Sequence, residues 1–173
     1  MADYGLLAKQ IVSLAEVDAH WLPVLSNAAA LLWDALDDIN WAGFYLVDPV
    51  TVTGVEPDVA PSDHELRTPE LRLGPFQGKV ACVRIPFGRG VCGTAAATKT
   101  SQLVEDVHQF PGHIACDSAS NSEAVVPIFK DDQVVGVLDI DSPNVARFTQ
   151  EDLAGLEQVV KALESCTNFS AFC

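Results

Sequence analysis

EAVVPIFK (residues 123–130) and QVVGVLDIDS (133–142), joined by Asp131-Asp132, decide the fold of this chain. Both runs are rich in β-branched residues, and the two aspartates between them are turn formers. That pattern reads as an antiparallel β-hairpin. Pro127 cannot donate to a strand ladder, so it points to an edge position or a bulge. Side chains alternate across a strand. Val134, Gly136, Leu138 and Ile140 therefore share one face, and Val135, Val137, Asp139 and Asp141 share the other. This second face begins apolar and ends in two carboxylates. With the turn at Asp131-Asp132, Glu123 pairs near Asp139 to Asp141. The expectation is a three-carboxylate patch at one end of a sheet, with a solvated strand end as the competing reading. Like charges so placed repel, and partial burial raises the proton affinity of at least one of them. Ionised members can hold an ammonium group, and a protonated member can donate to a leaving oxygen.

Outward from the hairpin, WAGFYLV (41–47) has strand composition. Shorter strands are expected at 71–73, 79–85 and 101–104. Before them, Leu7, Ile11, Leu14 and Val17 recur at helical spacing from Tyr4 onward. Leu25, Ala28, Leu32 and Leu36 do so again after Pro23, which is expected to separate two helices. After the hairpin, Leu153, Leu156, Val160 and Leu163 form one apolar stripe behind a Thr149/Asp152 capping box. Residues 48–70, rich in Pro, Asp and Thr, read as an exposed insertion loop, and 167–173 as a flexible tail. The order is helices, strands, helix, without long parallel βαβ units. It predicts an α+β fold: a central antiparallel sheet with the N- and C-terminal helices packed on one face. The 173 residues fit a single domain.

The net charge of −14 disfavours nucleic acid, whose phosphates need a basic patch. No run approaches the length of a membrane span, and the N-terminus lacks the basic-then-apolar pattern of a signal peptide. A reducing, cytoplasmic location is expected. There, the five cysteines are more readily catalytic, metal-binding or buried than structural disulfides. Cys82, Cys92 and Cys116 gather in one stretch. Cys116 lies in EDVHQFPGHIACDSASNS (105–122), a long connection that Phe110, Ile114 and Cys116 would tie down, and a thiol there can be reached by a small molecule. The alternative is a buried cysteine acting as a small hydrophobe. A zinc site from Cys82, Cys92, Cys116 and His108 or His113 is a further reading, weakened by the absence of close C-x-x-C pairs. Gly88 to Gly93 matches G-x-G-x-x-G, but the helical stretch 94–98 is too short for a dinucleotide crossover. These glycines read as a flexible turn bringing Cys92 and its strand to a pocket.

Taken in order, WAGFY, LGPFQGKVAC, GRGVCGTAA, EDVHQFPGHIACD, SNSE and GVLDIDS resemble the free methionine-(R)-sulfoxide reductases, which are stand-alone GAF-domain enzymes. The resemblance runs from about Trp41 to Leu163. It implies a GAF-like sheet of about six antiparallel strands, and Cys116 as nucleophile with Cys82 or Cys92 as the resolving cysteine. Glu123, Asp139 and Asp141 would line the substrate pocket, with Trp41 and Tyr45 near the methyl-sulfur end. The implied substrate is free methionine sulfoxide and the implied reductant is thioredoxin or a similar dithiol. This chemistry needs no metal or organic cofactor, and the fold class also accommodates a homodimer. Most GAF domains are ligand-binding modules, so a non-catalytic small-molecule sensor is the competing expectation. Cys166 and Cys173 fall outside the motifs and read as spare thiols.

Overall fold

Asp3 caps the first helix by accepting from the Leu6 amide, and α1 (Tyr4–Ala15) follows. His20 does the same for α2 (Trp21–Ala35). Pro23 therefore lies inside the first turn of α2 rather than between the helices, where its missing amide proton costs no helical bond. The computed structural model describes residues 2–48, 69–112 and 119–172. Nearly all of the 48–70 loop expectation lies outside those residues, as do Cys116 and Cys173.

Six strands follow: β1 (Trp41–Val47), β2 (Glu70–Gly78), β3 (Arg84–Pro86), β4 (Gln102–Val104), β5 (Ser122–Lys130) and β6 (Gln133–Ser142). They form one sheet in the order β3-β2-β1-β6-β5-β4, antiparallel throughout. The β5–β6 hairpin has the expected two-residue turn. Asp131 and Asp132 both take positive φ, 49° and 63°, the left-handed pair that matches strand twist. Pro127 sits beyond the reach of β4, which pairs only with residues 123–125, and just before the irregularity at Ile128/Phe129. Its missing donor thus leaves no bond to β4 unmade. Two strand boundaries differ from expectation. β2 spans nine residues rather than three, and of 79–85 only Arg84 and Ile85 are in a strand, β3. Glycine and proline within LGPFQG weaken the β signal locally, while pairing with β1 supplies it.

One sheet face packs on α1, α2 and α4 (Gln150–Cys166) through Ala42, Phe44, Ala124, Val126, Leu138 and Ile140. The opposite face packs on α3 (Gly90–Thr98) through Trp41, Tyr45, Val125 and Val137. The expected arrangement of terminal helices on one face holds, and α3 covers the other. The stretch around Cys92 is a helix, not a turn and strand: Gly88 and Gly90 take the positive φ that aims the chain into it. Residues 167–172, expected to be loose, are packed. Phe169 is fully buried and the Asn168 amide donates to the Ala19 carbonyl at 2.7 Å. No helix among the described residues is long and apolar enough to cross a membrane.

The capping box of α4 is complete, and Asp152 also accepts from the Tyr4 hydroxyl at 2.7 Å, joining α1 to α4. Gly155, one turn on, lies under the Tyr4 ring: a Cβ there would stand 2.1 Å from Cδ2. Alanine is the better helix former by about 1 kcal/mol, yet this overpacking costs about 1–3 kcal/mol. Gly155→Ala is expected to lower Tm by several degrees; a higher Tm would mean that propensity outweighs packing here.

Candidate active site

Strand register brings the carboxylates together. Glu123 pairs with Asp141 across β5–β6, while Trp41 pairs with Asp141 and Gly43 with Asp139 across β1–β6. Alternation then places Trp41, Tyr45, Glu123, Asp139 and Asp141 on the sheet face opposite the terminal helices. Helix α3 lies over this face and delivers Cys92. The Cys92 thiol donates to Glu123 Oε1 at 3.8 Å, and the Cys92, Glu123 and Asp139 ligand atoms all lie within 4.8 Å of one another. All three residues are buried, and Asp141 is half-buried. The three-carboxylate patch is therefore formed. Its two inner members share the buried Cys92 thiol, expected at a pocket but on a turn and strand, which a helix delivers instead.

Burial sets the charge state of this cluster. It pushes Asp139 up to about 7, against the opposing pull of its Cys92 and Glu123 neighbours. Burial, with repulsion from Asp139 and Asp141, drives Glu123 well above the usual carboxylate range. The pair thus keeps a proton near neutral pH. Burial and the same carboxylates drive the Cys92 thiol well up, so Cys92 is a neutral thiol rather than a nucleophilic thiolate. Tyr45 is likewise held as a neutral phenol by burial and by Asp139.

An aromatic wall completes the site. Trp41 stacks on Tyr45 at 5.6 Å and on Phe76 at 5.3 Å, and its indole N–H donates to the Lys79 carbonyl. Gly43 makes the stack possible, since a Cβ would stand 2.3 Å from Phe76 Cβ and 2.7 Å from Trp41 Cη2. Phe76 lies beyond the short strand expected at 71–73, on the part of β2 that its own residues do not announce. Its signal is the cross-strand partnership with Gly43. Buried carboxylates beside aromatic faces suit a small ligand that is cationic at one end and apolar at the other.

Of the cysteines, Cys82 is disulfide-bonded and packs against this same core face, whereas Cys92 and Cys166 are free thiols. The zinc set suggested by the sequence is not assembled among the described residues. Cys82 is in a disulfide, Cys92 faces carboxylates, and His108 Nε2 bonds Asn121 Oδ1 at 3.0 Å. His113 and Cys116 lie outside the described residues. Of the residues expected to tie down the 105–122 connection, Phe110 packs partly buried against this core face, and Ile114 and Cys116 lie outside the described residues. The Val107 amide donates to the Asn121 carbonyl at 3.0 Å, and the Gly90 amide to the Gly112 carbonyl at 3.3 Å, fixing the connection to the start of α3.

A GAF-domain model matches residues 9–166. A free methionine-R-sulfoxide reductase of Escherichia coli is 50% identical over 161 residues, 93% of this chain and 86% of that protein. The chain belongs to the free methionine-R-sulfoxide reductase family of GAF-domain proteins. Among solved structures, fRMsr of Staphylococcus aureus in its reduced form matches with a TM-score of 0.82 and 50% identity, covering 97% of each chain. The free methionine-R-sulfoxide reductase of Neisseria meningitidis in complex with its substrate also matches with a TM-score of 0.82, at 42% identity, covering 97% of this chain and 90% of that one.

Proposed function

We propose that this chain reduces free methionine-(R)-sulfoxide to methionine, acting as a single domain through Cys116, Cys82 and the Glu123–Asp139–Asp141 cluster. The observation that carries the reading is the buried Glu123–Asp139 carboxylate pair beside the Trp41–Tyr45–Phe76 stack. Asp141, half-buried and nearest solvent, accepts the substrate ammonium, a charge that a peptide-bound residue lacks. The aromatic wall receives the methylthio end.

The Cys116 thiolate attacks the sulfoxide sulfur, and the proton held by Glu123 and Asp139 moves to the sulfoxide oxygen. The sulfur–oxygen bond breaks, the protonated oxygen passes to the Cys116 sulfur as the bond between the two sulfurs breaks, and methionine leaves with Cys116 as a sulfenic acid. The sulfur of methionine is reduced by two electrons and that of Cys116 is oxidised by two. Cys82 then attacks this sulfenic acid, releasing water and forming a disulfide. The disulfide bond observed at Cys82 favours it as resolver, and the burial and neutral state of Cys92 count against Cys92. Thioredoxin or a similar dithiol restores both thiols by exchange, which fits a cytoplasmic setting.

The test is methionine release by the purified chain with thioredoxin, thioredoxin reductase and NADPH. Turnover of the free R epimer, with the S epimer and N-acetylated substrate left unchanged, is the expected result. Binding of the free sulfoxide without release would instead identify a ligand-binding module.

A further inference from the structure

Asp139 Oδ1 is buried and has no hydrogen-bond partner among the described residues. Asp139 is hydrogen-bonded to Cys92 and Glu123, so Oδ1 is its one open acceptor, and a buried open acceptor points to a cationic partner brought by a ligand. Its nearest chemistry is mixed: a thiol sulfur and a second carboxylate, all three ligand atoms within 4.8 Å of one another. An ammonium ion makes little use of a sulfur. A thiophilic metal does.

We propose that Cys92, Glu123 and Asp139 form a binding site for a thiophilic divalent cation of the zinc class, and that this ion competes with the substrate. Zn–S bonds of about 2.3 Å and Zn–O bonds of about 2.0–2.2 Å give a tetrahedral S···O edge of about 3.5–3.7 Å. The Cys92 Sγ to Glu123 Oε1 separation is 3.8 Å, so these two donors stand almost at that edge before any ion arrives. Asp139 supplies the third ligand, and water or a substrate atom the fourth. Three donors with an open position make an exchangeable site rather than a closed structural one. The Cys92 thiol proton goes to solvent as the metal–sulfur bond forms. All three donors are carried by regular elements, α3, β5 and β6, with their ligand atoms within 4.8 Å of one another, so binding requires only side-chain adjustment. The Cys82–Cys116 chemistry plays no part in holding the ion.

The binding arm of the test is independent of turnover. The full chain carrying Cys82→Ser and Cys116→Ser, kept reduced with a phosphine, is titrated with Zn²⁺ by calorimetry and with Co²⁺ by absorption. One ion per chain with a thiolate-to-cobalt charge-transfer band is expected. Adding Cys92→Ser should abolish the band and weaken zinc at least about tenfold, and Asp139→Asn should weaken zinc while keeping the band. Methionine-(R)-sulfoxide should weaken zinc in proportion to its own occupancy. That competition alone rests on the function proposed above; its failure with the binding arm intact would displace the substrate and leave the metal site standing. The metal site is overturned if the double variant takes up no ion, or if Cys92→Ser leaves its affinity and spectrum unchanged.

Discussion

Cys82→Ser is expected to release about one methionine per chain and then stop, with its steady-state rate under thioredoxin reduced at least about 100-fold. The chemical step needs only the Cys116 nucleophile and the proton-bearing carboxylates, so the first turnover survives. Recycling needs a second thiol that can reach the oxidised sulfur and form a disulfide that thioredoxin can attack. Cys82 packs on the face holding Trp41 and Tyr45 and is disulfide-bonded there. Cys92, on α3, is buried against the sheet and kept neutral by that burial and by the carboxylates beside it, which makes it a poor attacking thiol. Cys116→Ser, lacking the nucleophile, should release no methionine even in the first turnover. Cys92→Ser should continue through many turnovers. Rapid-quench counting of methionine per chain separates the three variants, and a sulfenic-acid trap should label only Cys82→Ser after substrate. Sustained turnover by Cys82→Ser together with a single-turnover Cys92→Ser would exchange the roles of the two cysteines.

The carboxylate patch was legible in the sequence because two local rules suffice to place it. A two-residue turn fixes the β5–β6 register, and alternation fixes the faces, so Glu123 had to meet Asp141. β1 was equally legible from the unbroken WAGFYLV run. What escaped depends on contacts between segments distant in sequence. Cys92 is expected at a pocket, but its seat against Glu123 and Asp139 follows from α3 packing over β5 and β6, and α3 is too short and too rich in glycine and alanine to announce itself. Phe76 escaped because β2 owes its length to β1, not to its own residues. The seating of Phe169 escaped for a related reason. The tail beyond α4 has no periodic apolar pattern, and Phe169 is buried in the core only because Asn168 pins the chain to Ala19 and His20.

Asp139→Asn is expected to trade activity for stability, and the two effects carry opposite pH signatures. Loss of one member of the proton-holding pair should lower kcat/KM by about 10²–10⁴, the usual worth of general acid catalysis. In the wild type, kcat/KM should fall as pH rises above about 7, where Asp139 surrenders its proton. That descending limb should be missing or displaced in the variant. Stability runs the other way. An unfolded Asp titrates near 3.8 and Asp139 in the fold at about 7, so between those values the folded state binds the extra proton. Stability contributed by this group is therefore greatest at low pH and declines as pH rises through the window. The decline is at most about 4 kcal/mol, because Glu123 shares the same proton. Asparagine has no charge to desolvate, so the Tm difference should move in its favour by several degrees between about pH 4.5 and about pH 8, at about 2–4 °C per kcal/mol. A pH-independent Tm difference would mean that Asp139 is paired as an ion in the resting protein, and the proton donor would then have to be sought elsewhere. A site that stores a proton on buried carboxylates must be less stable at the pH where it works, and this variant measures how much less.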